Sequence, residues 1–302
     1  MGDIKLFRLT NEGVEELNGY TIAVEKSLQT LMERNLEALI GVRFLASEYS
    51  TGKRHGGRID TLGIDENNSP VIIEYKRATN ENVINQGLYY LDWLMDHQAE
   101  FKLLVMDRLG LEVSKEVDWN APRLLCIAGG FTKYDEHAVQ QINRNIELYT
   151  YKRYDEELLM LDLVNATTAN VPVEHDMGTE SKIVYKTVSE YLSQASPELV
   201  DWFEELRAYM IALGDDVQVN TLKYYVAFKR IKNFACVEIH PQTKKIGIYL
   251  KVNPDSVELE NGFTRDVRKI GHYGTGDLEV MIGNPKQLEK VKELIQKSYD
   301  LS

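Results

Sequence analysis

Residues 24–40, VEKSLQTLMERNLEALI, place apolar groups at Val24, Leu28, Leu31, Met32, Leu36, Leu39 and Ile40, the three-and-four spacing of one helix face. Three runs rich in β-formers follow: VRFLASEY (42–49), RIDTLGIDE (58–66) and PVIIEYKR (70–77). Asn67-Asn68-Ser69-Pro70 between the last two predicts a tight turn and so a hairpin. A second helix is expected over 81–97, with Val83, Tyr90 and Leu94 on one side. RLLCIAGGF (123–131) reads as a buried strand, followed by a short helix near 134–142 and strands at 146–151 and 158–164. The order is helix, three strands, helix, strand, which is an α/β sandwich with a mixed sheet.

The pattern breaks at NATTANVPVEHDMGTE, a polar stretch with Pro172 and Gly178 and no apolar period. The expected organisation is a first domain over 1–165, a linker over 166–180 and a second domain over 181–302. In the second, 182–193 and 197–213 read as paired helices, with Ser196 as N-cap and Pro197 at the first helical position. Strands are expected at 224–231, 234–240, 245–252 and 277–283, with a closing helix over 285–299, giving an α+β domain.

Composition narrows the chemistry. The two cysteines, Cys126 and Cys236, each sit in an apolar run and the six histidines are scattered, so neither a disulfide framework nor a His/Cys metal site is expected. No apolar stretch approaches the ~20 residues of a membrane-spanning helix. The start, MGDIKLFRLTNEG, lacks a signal-peptide pattern, and a cytoplasmic protein without membrane contact is expected. The net charge of −12 opposes a general polyanion-binding surface, so any nucleic-acid contact must come from a local cationic patch. Lys53, Arg54, His55 and Arg58 form such a stretch leading into Asp60, with Arg77 just past Lys76. It reads equally as phosphate contact or as a solvated loop. Lys223, Lys229, Arg230, Lys232, Lys244, Lys245 and Lys251 make the second domain's strands locally basic, which reads as a solvated sheet face or a second nucleic-acid surface. GHYGTGD (271–277) reads as a glycine-shaped turn, since it lacks the lysine-Ser/Thr ending of a P-loop.

An acidic residue two before a lysine occurs four times, at Asp3/Lys5, Glu74/Lys76, Glu100/Lys102 and Glu180/Lys182, so the bare triplet says little. Only Glu74/Lys76 lies in an apolar strand. There Ile72, Glu74 and Lys76 share one face, and Val71, Ile73 and Tyr75 the other. If this strand is covered on both faces, the charges cost several kcal/mol per ion, as a rough figure, unless paired or bound to metal. The hairpin turn brings Asp60 alongside, so that Asp60 and Glu74 could converge on one divalent cation. Such a cation can neutralise a phosphate and acidify a water, and a neighbouring lysine can orient that water. Oxygen-only ligands favour Mg2+ or Mn2+ over zinc. The alternative for the same residues is an exposed, ion-paired hairpin.

GGRID, then VIIEYKR, then a helix carrying Gln86 and Tyr90, resembles the PD-(D/E)XK phosphodiesterase superfamily over roughly residues 20–155, most closely its NucS-type and RecB-like nuclease domains. The resemblance implies a restriction-endonuclease-like α-βββ-α-β core. It implies Asp60 and Glu74 as ligands of Mg2+ or Mn2+ and Lys76 as the residue that positions the attacking water. It adds an acidic residue on the first helix, for which Glu25 is the best match and Glu33 and Glu37 are rivals. Gln86 and Tyr90, four apart on one helix face, match positions that support the site or touch substrate, or else pack the helix. Lys53, Arg54, Arg58, Arg77 and Tyr90 are the expected nucleic-acid contacts, DNA the expected partner, and a homodimer is compatible, since many such nucleases pair to cut both strands. No separate N-terminal DNA-binding domain of the NucS kind is expected. Residues from about 180 to 302 resemble an uncharacterised bacterial domain of unknown function, some of whose relatives carry the label of predicted transport protein. The expected activity is metal-dependent DNA cleavage. The alternative is a nuclease-like fold that binds nucleic acid or protein without cutting.

Overall fold

The computed structural model describes residues 4–11, 13–22, 25–76, 83–169 and 187–302. The chain divides into two units, Met1–Asn170 and Val171–Ser302, each built on its own sheet. The fold class is mixed α/β, as the alternating patterns require. Among the described residues no helix is long and apolar enough to cross a membrane.

The first unit opens with a hairpin, β1 (Leu6–Thr10) and β2 (Gly13–Leu17), and a short β3 (Gly19–Tyr20). These strands are absent from the pattern reading because most of their apolar residues stay outside: Leu9 is 80% and Val14 67% exposed, and only Leu17 is buried. The helix expected over 24–40 is two, α1 (Glu25–Glu33) and α2 (Leu36–Ile40). The Asn35 amide donates to the Leu31 carbonyl at 2.9 Å and takes it from the helix ladder. Gly41, in the left-handed region at φ 66°, ends α2 and turns the chain into β4 (Val42–Ser50).

A single turn of helix, α3 (Gly52–His55), leads to β5 (Arg58–Asp65) and β6 (Pro70–Lys76). Next come α4 (Val83–Asp96), α5 (Gln98–Leu109) and α6 (Leu111–Lys115). The latter two escape the periodicity because apolar residues run round the helix: Phe101 and Val105 are buried, Leu103, Met106 and Leu111 exposed. The unit closes with β7 (Arg123–Ala128), α7 (Lys133–Gln140), β8 (Asn145–Tyr154) and β9 (Leu158–Thr167). Strand β9 thus runs two residues into the expected linker, whose remainder from residue 170 lies outside the described residues.

The strands join in the order β3-β8-β7-β6-β5-β4, with β9 on β8. Pairing of β4, β5 and β6 is antiparallel, and that of β6 with β7 and β7 with β8 parallel, so the sheet is mixed. Helix α4 packs on the face bearing Ile72, Leu124, Cys126 and Leu148. It lies so close that a Cβ on Gly87 would stand 2.4 Å from Leu124.

On the opposite face Arg123 is enclosed at 3% exposure. Its guanidinium donates to both Glu147 carboxylate oxygens at 2.8 and 2.9 Å and to Asp65 Oδ2 at 2.9 Å. The other Asp65 oxygen accepts the Asn67 and Ser69 amides at 2.9 Å, which shapes the β5–β6 turn around Asn68 in the left-handed region. One guanidinium therefore ties β5, β7 and β8 together.

In the second unit α8 (Val188–Gln194) begins with a Thr187–Glu190 capping box, and Ser196 caps α9 (Pro197–Ile211). The expected helical residues 182–186 lie outside the described residues. An antiparallel sheet follows in the order β10-β11-β12-β13-β15-β14, formed by β10 (Gln218–Thr221), β11 (Val226–Lys229), β12 (Asn233–His240), β13 (Lys245–Leu250), β14 (Thr264–Asp266) and β15 (Leu278–Ile282). The short edge strands β10 and β14, of four and three residues, are too brief to show a period. Helix α10 (Pro285–Asp300) packs on the sheet face that also receives α8 and α9. Lys229, grouped above with the basic residues of a possible surface, is 2% exposed and takes no part in one.

Replacing Arg123 with Met should destabilise the protein by about 3–5 kcal/mol, because Asp65 and Glu147 would remain buried without their counter-charge. Urea unfolding followed by circular dichroism reads this directly. A loss below about 1 kcal/mol would mean that the ion network does not hold the strands.

Candidate active site

Main-chain pairing of β5 with β6 runs from Ile64–Pro70 to Thr61–Ile73 and stops there, while β6 continues alongside β7 to Lys76. Beyond that point side chains take over the ladder. The Asp60 amide donates to Glu74 Oε1 at 3.2 Å, and the Tyr75 amide donates to Asp60 Oδ2 at 3.0 Å. Two carboxylates are thereby held in the fork of two diverging strands, on the sheet face that α4 covers.

Glu74 has no exposed surface, and its Oε2 has no hydrogen-bond partner among the described residues. Burial and then the adjacent Asp60 carboxylate push its pKa up to about 9. Asp60, half-buried, is also raised, chiefly by burial, with the Tyr75 amide and Lys76 pulling the other way. Lys76 Nζ lies 3.3 Å from Glu25 Oε1, at the start of α1, and lowers the pKa of both carboxylic acids by its charge. Asp60, Glu74, Lys76 and Glu25 thus form one charged group. Of the rival acids, Glu37 is exposed, and Glu33 accepts from Thr61 Oγ1 at 2.7 Å, on the other face from Asp60.

Gln29 is a residue the sequence reading passes over. It is 4% exposed, and its amide nitrogen donates to the Asp60 carbonyl at 2.7 Å and to Glu33 at 2.9 Å. The signal was a glutamine between Leu28 and Met32 on the apolar side of α1. Glu48 was equally unmarked. It accepts from Lys26 at 2.9 Å and pairs with Arg58 at 2.6 Å, and Lys26 above all holds its carboxyl below the usual range.

The expected nucleic-acid contacts separate. Lys53 is exposed on α3, which also carries Arg54; Arg58 is exposed but paired with Glu48; Arg77 lies outside the described residues. Tyr90 is 6% exposed, its hydroxyl accepts the Arg58 amide at 3.2 Å, and its ring lies under Gly57, where a Cβ would stand 2.4 Å from it. It holds the loop leading into β5 and is largely enclosed, in keeping with a supporting or packing role. Gln86 donates to the Tyr90 hydroxyl at 3.3 Å and makes no hydrogen bond to Asp60, Glu74 or Lys76 among the described residues.

Among the described residues no group of three or more His, Cys, Asp or Glu side chains is arranged to hold a metal ion. Two carboxylates in one fork, one with an unpartnered buried oxygen, still suit a hard cation that takes one or two carboxylates and keeps several waters, as magnesium does.

Comparison with known proteins adds three findings. A family described as a domain of unknown function (DUF5655) matches residues 188–302, from α8 to the end of the second unit. An uncharacterized protein of Haemophilus influenzae is 27% identical over 304 residues, covering 98% of this chain and 99% of its own, so it is similar across both units. A chain in the structure of an EndoMS–dsDNA2 complex matches at 17% identity and a TM-score of 0.25, over 43% of this chain and 46% of that one. A likeness that slight carries no weight for the chemistry.

Because Glu74 ionises near 4.5 in the unfolded chain but near 9 in the fold, the native state binds the extra proton between those values. Its contribution to stability is complete below pH 4.5 and is lost as pH rises towards 9. Glu74→Gln, which cannot ionise, should flatten the stability profile between pH 5 and 9 and raise stability at pH 8 by about 1–3 kcal/mol. Urea titrations of both proteins in EDTA give the comparison. Parallel profiles would show that Glu74 ionises normally.

Proposed function

We propose that the first unit is a metal-dependent phosphodiester hydrolase acting on DNA, with Asp60 and Glu74 as ligands of Mg2+ or Mn2+ and Lys76 as the residue that positions the attacking water. The observation that carries this reading is the buried Glu74 carboxylate, unpartnered at Oε2 and next to Asp60. Burial keeps this acid protonated at neutral pH, and a cation that replaced its proton would supply the missing partner.

When bound, the cation would supply charge neutralisation at the phosphate and a more acidic water. The chain's own contribution is positional. Main-chain amides fix one oxygen of each carboxylate, which leaves the other oxygen of each for a cation. Lys76, two residues beyond Glu74 on the same strand face, can donate to a water or to a phosphate oxygen on which charge develops. Its contact with Glu25 at 3.3 Å orients the ammonium. Lys53 on α3 supplies an exposed cation for the flanking backbone.

Plasmid, linear and single-stranded DNA incubated with Mg2+, Mn2+ or EDTA tests the reading. Cleavage should require metal and fall about 100-fold or more in Lys76→Ala and Asp60→Ala. Mn2+ should raise the melting temperature of the wild type and leave that of Glu74→Gln unchanged. Full activity in either alanine variant would overturn the residue roles. A folded wild type that binds DNA at low salt but cuts none of these substrates would favour a non-catalytic binding module.

A further inference from the structure

The loop between β4 and β5 and the C-terminal half of α4 enclose a cleft of about 540 Å3, within the usual range for small-molecule sites. Three of its lining residues, His55, Tyr89 and His97, carry rings. Tyr89 is 48% exposed, and its ring meets that of His55 at a centroid distance of 5.2 Å. His97 stacks on the buried Trp93 at 4.5 Å with 17° between the planes, and meets His55 edge-on at 6.2 Å.

These rings are held in place. The Tyr89 hydroxyl donates to the His55 carbonyl at 3.1 Å, and Thr51 closes the loop through its main-chain and side-chain bonds to Gly57. His97 Nδ1 donates to the Trp93 carbonyl at 2.7 Å. Among the described lining residues the remaining chemistry is one exposed ammonium, Lys53, and one exposed carboxylate, Asp96. Among these residues a bare phosphate would find one lysine together with a carboxylate. A sugar would find flat faces with few hydrogen-bond groups. A planar base attached to a phosphate matches the set: faces for stacking, Asp96 to accept from ring or exocyclic N–H groups, and Lys53 for the phosphate.

We infer that this cleft binds a nucleotide with an unpaired base, stacked on Tyr89 and His55, with its phosphate on Lys53. The ligand is either a free mononucleotide or one unit of a single strand, since both present the same base face and phosphate. A base within a duplex is stacked on both sides and offers the cleft no face. The site shares Lys53 with the hydrolase reading but none of Asp60, Glu74 and Lys76, and it needs no metal.

The test uses the full-length wild-type protein in EDTA, with 2-aminopurine as the base in three probes: the free nucleoside monophosphate, a single-stranded oligonucleotide, and the same strand in a duplex. Stacking quenches the emission of this base. Quenching of the first or second probe but not the duplex is expected, and the affinity of the quenched probe should fall about tenfold or more in Tyr89→Ala. Tyr89→Phe, which keeps the ring but loses the bond to His55, should retain binding, and Lys53→Ala should weaken it and reduce its dependence on salt. Quenching of the free monophosphate alone would identify a mononucleotide site, and quenching of the strand alone a strand site. The inference fails if no probe is quenched, if the duplex is quenched equally, if Tyr89→Ala binds as wild type, or if Tyr89→Phe is as damaging as Tyr89→Ala. Because binding is read without metal, loss of DNA cleavage with quenching intact removes the hydrolase and leaves the cleft, and the converse result removes the cleft alone.

Discussion

Arg123 sets the frame on which the first unit's chemistry rests. Its guanidinium lies between Glu147 on β8 and Asp65 at the end of β5, and Asp65 in turn gathers the amides of the turn that leads into β6. A buried ion group of this kind adds little net stability over a well-packed apolar cluster, but it tolerates few alternatives, because any other register would strand a charge in the core. With the turn fixed, the pairing of Ile64 with Pro70 and of Thr61 with Ile73 follows, and with it the meeting of Asp60 and Glu74 one step further along.

The two faces of this sheet handle acidic side chains in opposite ways. On the Arg123 face two carboxylates share one guanidinium through well-formed hydrogen bonds, and Tyr149 adds a further donor to Glu147 at 2.6 Å. On the α4 face the two carboxylates have Lys76 near them among the described residues, and that lysine also meets Glu25. The result is a folded interior that satisfies Asp65 and Glu147 and leaves one oxygen of Glu74 without a partner. A protein built only for stability would not keep that imbalance, which is why the fork is the part of the unit where chemistry is expected.

Cations are used sparingly around the fork. Glu48 engages both Lys26 and Arg58, and Glu25 engages Lys76, so most of the positive charge is matched locally. That accords with a chain of net charge −12 that has no general attraction for polyanions. Recognition would depend on a few placed groups and on ring surfaces such as Tyr89, more than on a broad positive field.

The sequence by itself determined the β5–β6 hairpin, the strand carrying Glu74 and Lys76, the caps of α9 and the mixed α/β class, because alternation, turn residues and capping residues act over a few positions. It also marked Asp60, Glu74 and Lys76 as a set, since acidic and basic groups inside an apolar strand stand out without any knowledge of contacts. Tertiary structure alone decided that pairing ends at Thr61, that Glu74 is enclosed, that Glu25 and not Glu33 meets Lys76, and that Tyr90 faces inward while Tyr89 faces a cleft. Each of those depends on residues far apart in the chain: Gln29 against Asp60, Tyr90 against Gly57, Lys76 against Glu25. Local pattern fixes which face a side chain shares with its neighbours. Only the packing of separate elements decides what covers that face and which charge is left without a partner.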